Sequence, residues 1–250
     1  MASEHIVKSY DEELKHLTDV VARMGGLAEK QLADAVEAVT TRDIDLAGRT
    51  IEADNRVDAL EREVDDFVVR VLALRQPMAR DLREIVVALR ISADIESIAD
   101  YAANIAKRAI ALAQVPTVRP AHAVPRMARM AQMLIKDVID AYVERDAAKA
   151  VRVWQSDEAL DEMYTSLFRE LLTYMMEDPR NITPSTHLLF IAKNIERIGD
   201  HATNVAENIY FLVHGKPLPG TRPKGDTSSL AVVEPTAKQR AGRGQGDAGE

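Results

Sequence analysis

The chain has 250 residues, 46% of them hydrophobic, 4% aromatic and none cysteine, so disulfides and thiolate metal ligands are excluded. Formal net charge is −8, and because residues 215–250 carry a surplus of +2, the remainder stands at −10. Such a body repels a phosphate backbone, so direct nucleic-acid binding is not expected and cations or basic protein surfaces are. The start, MASEHIVKSYDEEL, lacks the basic and apolar regions of a secretory leader. No apolar run approaches the roughly 20 residues of a bilayer span. A soluble, cytoplasmic protein without membrane insertion is expected.

Helical punctuation divides the chain. An amphipathic pattern runs over about 4–39, with Gly25 and Gly26 marking a close helix contact or a mild kink. Thr41–Asp43 reads as a stop and a new N-cap. A second helix runs to Arg75, where Gln76-Pro77 ends it, since the residue before proline avoids the α region. A third covers 79–114. VPTVRPAHAVP, with three prolines, then reads as a linker. Three more helices are expected over 126–144, 146–177 and 184–214, with Asp178-Pro179-Arg180-Asn181 as the last break. Residues 215–250 hold most of the glycines and read as a disordered C-terminal tail with no assignable chemistry.

The two halves repeat. Ile91–Lys107 laid over Ile191–Glu207 at an offset of 100 is identical at eight of seventeen positions. Upstream, an offset of 103 registers Arg42 with Arg145, Asp43 with Asp146, Asp54 with Asp157 and Asp58 with Asp161. The expected fold is therefore all-α, two tandem three-helix bundles over 1–115 and 124–214, six long helices followed by the tail.

Within IAKNIERIGDHATNVAENI, the residues Glu196, Asp200 and Asn204 recur every four positions. At 100° per residue they lie within about 80° of one another, opposite an apolar stripe containing Ile191, Ile195, Ile198, Ala202, Val205 and Ile209. One such line is ordinarily a solvated face. The duplication argues for more, because Glu96, Asp100 and Asn104 repeat it while neighbouring polar positions drift: Asp94 becomes Asn194, Ser97 becomes Arg197 and Lys107 becomes Glu207. Asp54/Asp58 and Asp157/Asp161 add a second pair to each half at the same spacing. Four carboxylates on neighbouring helices would repel unless neutralised. A divalent or trivalent cation does this with oxygen donors, and iron, Mn, Mg, Ca or Zn are the candidates; a salt-bridged, solvated face is the other reading.

GGLAEKQL at 25–32, DNRVDALE at 54–61, RQPMARDLREI at 75–85, the E-x-x-x-D pairs at 96–100 and 196–200, and NIERIGDHATN at 194–204 together resemble the PhoU family. These are phosphate-responsive accessory proteins encoded with the bacterial phosphate ABC transporter. The resemblance spans about 5–214. It implies two tandem three-helix bundles whose (E/D)-x-x-x-D motifs bind metal ions: Asp54/Asp58, Glu96/Asp100, Asp157/Asp161 and Glu196/Asp200. It also implies a non-enzymatic regulator, peripheral at the inner face of the membrane. Its partners would be the transporter ATPase, a phosphate-sensing histidine kinase and a second copy of itself. The first copy departs from the family's E-R-I-G-D by reading E-S-I-A-D, which keeps both carboxylates and changes their neighbours.

Two other functions compete. A metal-dependent hydrolase could use the carboxylates, and Glu13/His16 is the nearest match to a di-iron Glu-x-x-His motif, but it has no counterpart in the second repeat. A passive scaffold would use the same carboxylates only for solubility. His201 is expected at the surface, Met127, Met130 and Met133 in the core, Trp154 between helices, and Arg80 and Arg83 in solvent.

Overall fold

The computed structural model describes residues 2–75, 77–222, 226 and 228, with side chains from residue 12 onward. The first bundle comprises α1 (Ala2–Thr41), α2 (Ile44–Arg75) and α3 (Arg80–Leu112). The second comprises α4 (Val124–Glu144), α5 (Ala147–Ser156), α6 (Glu158–Glu177) and α7 (Ile182–His214). Short 3₁₀ turns over Arg119–Ala123 and Pro179–Asn181 precede α4 and α7. The expected six long helices are present, with the fifth interrupted at Asp157 rather than continuous. Beside the break, the Ser156 hydroxyl donates to the Arg152 carbonyl at 2.8 Å, a back-bond that competes with the helical ladder.

The first turn in each repeat is built alike. Asp43 caps α2 by accepting the Leu46 N–H at 2.8 Å, and Asp146 caps α5 by accepting the Lys149 N–H at 2.9 Å. The preceding residues, Arg42 and Arg145, sit at φ 59° and 55°. Backbone N–H groups of Asp43 and Asp146 reach back to Ala38 and Ala141 at 3.2 and 2.9 Å, closing α1 and α4 in a Schellman arrangement. Glycine is usual at that left-handed position, and an L side chain costs roughly 1–2 kcal/mol there. Each arginine offsets the strain with its guanidinium. Arg42 donates to the carbonyls of Ala113 and Val115 and to Thr117, at 2.7–2.8 Å; Arg145 pairs with the buried Glu84 of α3.

Equivalent helices of the two repeats meet: α1 packs on α4 and α3 on α7. Each third helix therefore serves its own bundle and the seam between bundles, and one hydrophobic core runs through both. Small residues allow the close approach, with Ala102, Ala106, Ala192, Ala202 and Ala206 all at most 1% exposed. Ile91, Ile95, Ile98, Ile191, Ile195 and Ile198 fill the layers between them, each contributing roughly 1.5–3 kcal/mol by burial. Gly25 marks the close α1–α4 contact, since a Cβ there would fall 2.5 Å from Ile139 Cδ1. A Cβ on Gly26 would meet nothing within 4 Å among the described residues, and α1 runs through both glycines without interruption.

Trp154 is buried as expected, and its Nε1–H donates to Glu207 at 2.9 Å. Met127 is fully buried and Met130 partly so, but Met133 is 65% exposed; the three methionines share a spacing but not the core. Among the described residues no helix is long and apolar enough to cross a membrane. Of the stretch expected to be disordered, 223–225, 227 and 229–250 lie outside the described residues. The residues that follow α7 up to 222, with 226 and 228, return along the second bundle, where Leu218 packs on the core.

Candidate functional site

The third helix of each bundle carries its Glu and Asp toward the aspartates of the helix before it, and two carboxylate clusters result. In the first, Gln31 of α1 donates from Nε2 to Asp54 at 3.0 Å and to the Ala99 carbonyl at 3.2 Å. Burial, together with the charges of Asp100 and Asp58, raises the Asp54 pKa against the pull of the Gln31 bond. Glu96 is raised likewise, by burial first and then by Glu61, Asp100 and Asp58. Glu61 belongs to the cluster too, its pKa raised by burial, Asp65 and Asp58. The cluster is half open: Asp54, Asp58 and Glu96 are partly buried and Asp100 is exposed.

The second cluster is closed. Asp157 is fully buried, Asp161 and Glu196 are nearly so, and Asp200 is partly covered. Cations reach into it. Arg222, beyond α7, pairs with Asp157 and, at 2.7 Å, with Asp200. Lys193 holds Glu196 at 2.8 Å and Asp226 at 3.0 Å, and its ammonium lies over the Tyr164 ring. The Asp226 backbone N–H donates to Asp161 at 3.3 Å. Burial pushes Glu196 up to about 7 despite Lys193, with Asp200 and Asp161 adding to the rise. Asp157 is raised by burial, against Arg222. Two buried oxygens, Asp157 Oδ1 and Glu196 Oε2, have no hydrogen-bond partner among the described residues.

The reason for the contrast lies one layer deeper. At the offset of 103, Leu134 stands where the first repeat has Gln31, so Asp157 loses the amide that Asp54 enjoys. At the offset of 100, Gly199 stands where the first repeat has Ala99. A Cβ on Gly199 would lie 2.5 Å from Asp157 Oδ1 and 2.7 Å from Leu160. The missing methyl lets the carboxylate press against the α7 backbone.

The predicted residues thus divide. Asp54, Asp58, Glu96 and Asp100 gather in one place, and Asp157, Asp161, Glu196 and Asp200 in the other. The two asparagines do not join them. Asn104 accepts from Lys107 at 3.2 Å, and Asn204 donates to Asp94 of α3 at 3.2 Å. His201, expected at the surface, also pairs with Asp94, at 2.9 Å, and is only 22% exposed. The four-residue line of α7 therefore leaves the cluster and enters the seam. Glu13 and His16 have separate partners, Arg75 at 2.7 Å and Glu63 at 3.4 Å. Arg80 is exposed as expected, whereas Arg83 donates to the Leu212 carbonyl at 3.3 Å and faces the Phe211 ring.

Among the described residues no group of three or more Asp, Glu or His side chains stands ready to hold a metal ion. The donor set nevertheless suits a hard cation, being all oxygen, and the two unpartnered buried oxygens are groups a cation would satisfy. Zinc, which prefers nitrogen and sulfur, fits less well. Gln31, Glu61, Lys193, Arg222 and Asp226 were not apparent as site residues from motif spacing. The +2 surplus after residue 214, against a body at −10, was the available signal for Arg222.

Comparison with known proteins agrees with this architecture. The family described as the PhoU domain matches residues 21–109 and 124–209, one match per repeat. A protein of Caulobacter vibrioides (strain NA1000 / CB15N) named phosphate-specific transport system accessory protein PhoU homolog is 51% identical over 228 residues, 91% of this chain and 99% of that one. One of the same name from Rhizobium meliloti (strain 1021) is 51% identical over 235 residues, covering 93% and 99%. The crystal structure of PhoU from Pseudomonas aeruginosa superposes with a TM-score of 0.80 at 39% identity, over 83% of this chain and all of that one. The phosphate transport system regulatory protein PhoU from Streptococcus pneumoniae gives 0.78 at 26%, over 84% and 99%.

Proposed function

The chain belongs to the PhoU family, and from that membership we propose that it is an accessory regulator of a phosphate-specific transport system. In this reading it works in the cytoplasm as a homodimer, docks on the ATPase subunit of a phosphate ABC transporter, and passes the transporter's state to a phosphate-sensing histidine kinase. It represses the phosphate-starvation response when phosphate is plentiful, and it turns over no substrate. The observation that carries the reading is the family match in both repeats, supported by relatives of that name at 51% identity along 91% of the chain.

The carboxylate clusters support a cation-dependent version. Asp54, Asp58, Glu96 and Asp100 would hold a hard cation in the first bundle, and Asp157, Asp161, Glu196 and Asp200 in the second. The cation would supply the positive charge that four adjacent carboxylates require. The chain's own part is to bring α2 to α3, and the α5–α6 pair to α7, so that these oxygens face one another.

The test is made in cells grown with abundant phosphate. Deleting the gene is expected to raise alkaline phosphatase, and the wild-type gene to bring it down again. A copy carrying Asp100→Asn and Asp200→Asn, folded by its melting curve, should fail to do so. Unchanged phosphatase after deletion of this gene and any paralogue would overturn the repressor reading. Full rescue by the variant would detach it from the carboxylates.

A further inference from the structure

The second cluster already contains a cation, and it comes from the protein. We propose that Arg222 is an internal counter-ion that closes the second carboxylate cluster, so that a metal ion enters there only when the segment after α7 lets go. The proposal rests on the reading of both clusters as cation sites.

The geometry makes guanidinium and metal mutually exclusive. Arg222 Nη2 lies 2.7 Å from Asp200 Oδ1 and also pairs with Asp157 Oδ2, joining the two helical parts of the site. Arg222 itself is only 14% exposed, and Asp157 not at all. A planar guanidinium satisfies carboxylates by directed hydrogen bonds, whereas a metal ion would need the same oxygens drawn to one point. The segment is anchored on both sides of Arg222. Leu218 packs on the core before it; after it, the Asp226 N–H bonds Asp161 and the Asp226 carboxylate takes the Lys193 ammonium.

A buried ion pair is costly to break by halves, because withdrawing one partner strands the other charge. Release of Arg222 alone is therefore unfavourable, and release coupled to arrival of another cation is not. The apparent affinity of the second cluster is lowered by the fraction of molecules in which the segment is docked. In the first cluster no described ion pair joins a Lys or Arg to Asp54, Asp58, Glu96 or Asp100: Gln31 contributes an amide, and Arg62 acts on Glu61 only by its charge. The two sites should consequently fill in order, the first before the second.

The experiment uses the full chain in an Asp100→Asn background, which removes a ligand from the first cluster. Mn²⁺ is titrated by calorimetry into this protein and into the same protein carrying Arg222→Gln or Arg222→Met, with hydrogen exchange of the Asp226 amide followed in parallel. Expected are a gain in Mn²⁺ affinity of at least tenfold in both variants and loss of Asp226 protection. Mn²⁺ should abolish that protection in the Arg222 protein too. Adding Asp157→Asn and Asp200→Asn should remove the gain. Equal Mn²⁺ affinity with and without Arg222, or Mn²⁺ binding that leaves Asp226 protected, overturns the competition. Absence of Mn²⁺ binding in every protein, while the variants still lose protection, overturns instead the cation reading beneath it.

Discussion

The two carboxylate clusters are copies of one device, and they differ less in their acids than in what stands behind them. Both present two aspartates four residues apart and an E-x-x-x-D pair from the helix that follows. Behind the first lie Gln31 and Ala99; behind the second lie Leu134 and Gly199. An amide donor and a methyl group keep Asp54 half exposed and hydrogen-bonded. Their loss leaves Asp157 fully buried against a bare helix backbone, with one oxygen unpartnered among the described residues and the other given to Arg222. Duplication preserved the acids while the neighbours set how much water and which counter-charge each acid receives. The second cluster is the more buried of the two.

The strongest test of that contrast is pH. Glu196 has a folded pKa near 7, above its unfolded value of 4.5, so the folded state binds the extra proton. Its contribution is intact below about 4.5, is lost as pH rises toward 7, and stays lost above. The penalty at pH 8 is on the order of 3 kcal/mol. Glu196→Gln should therefore match the parent's melting temperature near pH 4.5 and exceed it by several degrees at pH 8. A melting difference that does not change with pH would mean Glu196 is not forced to ionise in a buried place. Next in size is Gly199→Ala, which makes the second cluster resemble the first. The added methyl meets Asp157 and Leu160, an overpacking cost of 1–3 kcal/mol that exceeds the helix-propensity gain of about 1 kcal/mol. A net loss of up to about 2 kcal/mol in denaturant unfolding is expected; a gain in stability would show that α6 yields freely. The reverse change, Gln31→Leu, makes the first cluster resemble the second. It removes two hydrogen bonds, should cost about 1 kcal/mol, and should raise the Asp54 pKa further as measured by carboxyl NMR titration. An unmoved Asp54 would assign its raised pKa to burial and to the charges of Asp100 and Asp58, with no part for the Gln31 bond.

Most of the fold was legible because helix periodicity and the offsets of 100 and 103 are local or near-local signals. The Asp43 cap and the stop at Pro77 needed nothing beyond neighbouring residues. What escaped depends on surfaces meeting across the chain. A rotation of 100° per residue puts Glu196, Asp200 and Asn204 on one solvated stripe of α7, but α7 does not stand alone. α3 covers the Asn204 end of that stripe and the segment after α7 covers the Glu196 end, so one line divides between two environments. The break at Asp157 escaped for a similar reason, since Ser156 and a buried aspartate look unexceptional within an otherwise helical pattern. Arg222 escaped because a Gly- and Pro-rich stretch carries no periodicity from which a docking position could be read.

The seam between α3 and α7 has a mechanical consequence. α3 holds Glu96 and Asp100 toward one cluster and Asp94 toward His201 and Asn204; α7 holds Glu196 and Asp200 toward the other. Each acidic motif is thus bolted to the opposite bundle within a turn or so of helix. A cation that drew Glu96 and Asp100 toward α2 would pull on the same helix that grips α7 through Asp94, with a lever arm only a few residues long. The two halves are joined through their acidic helices rather than merely adjacent.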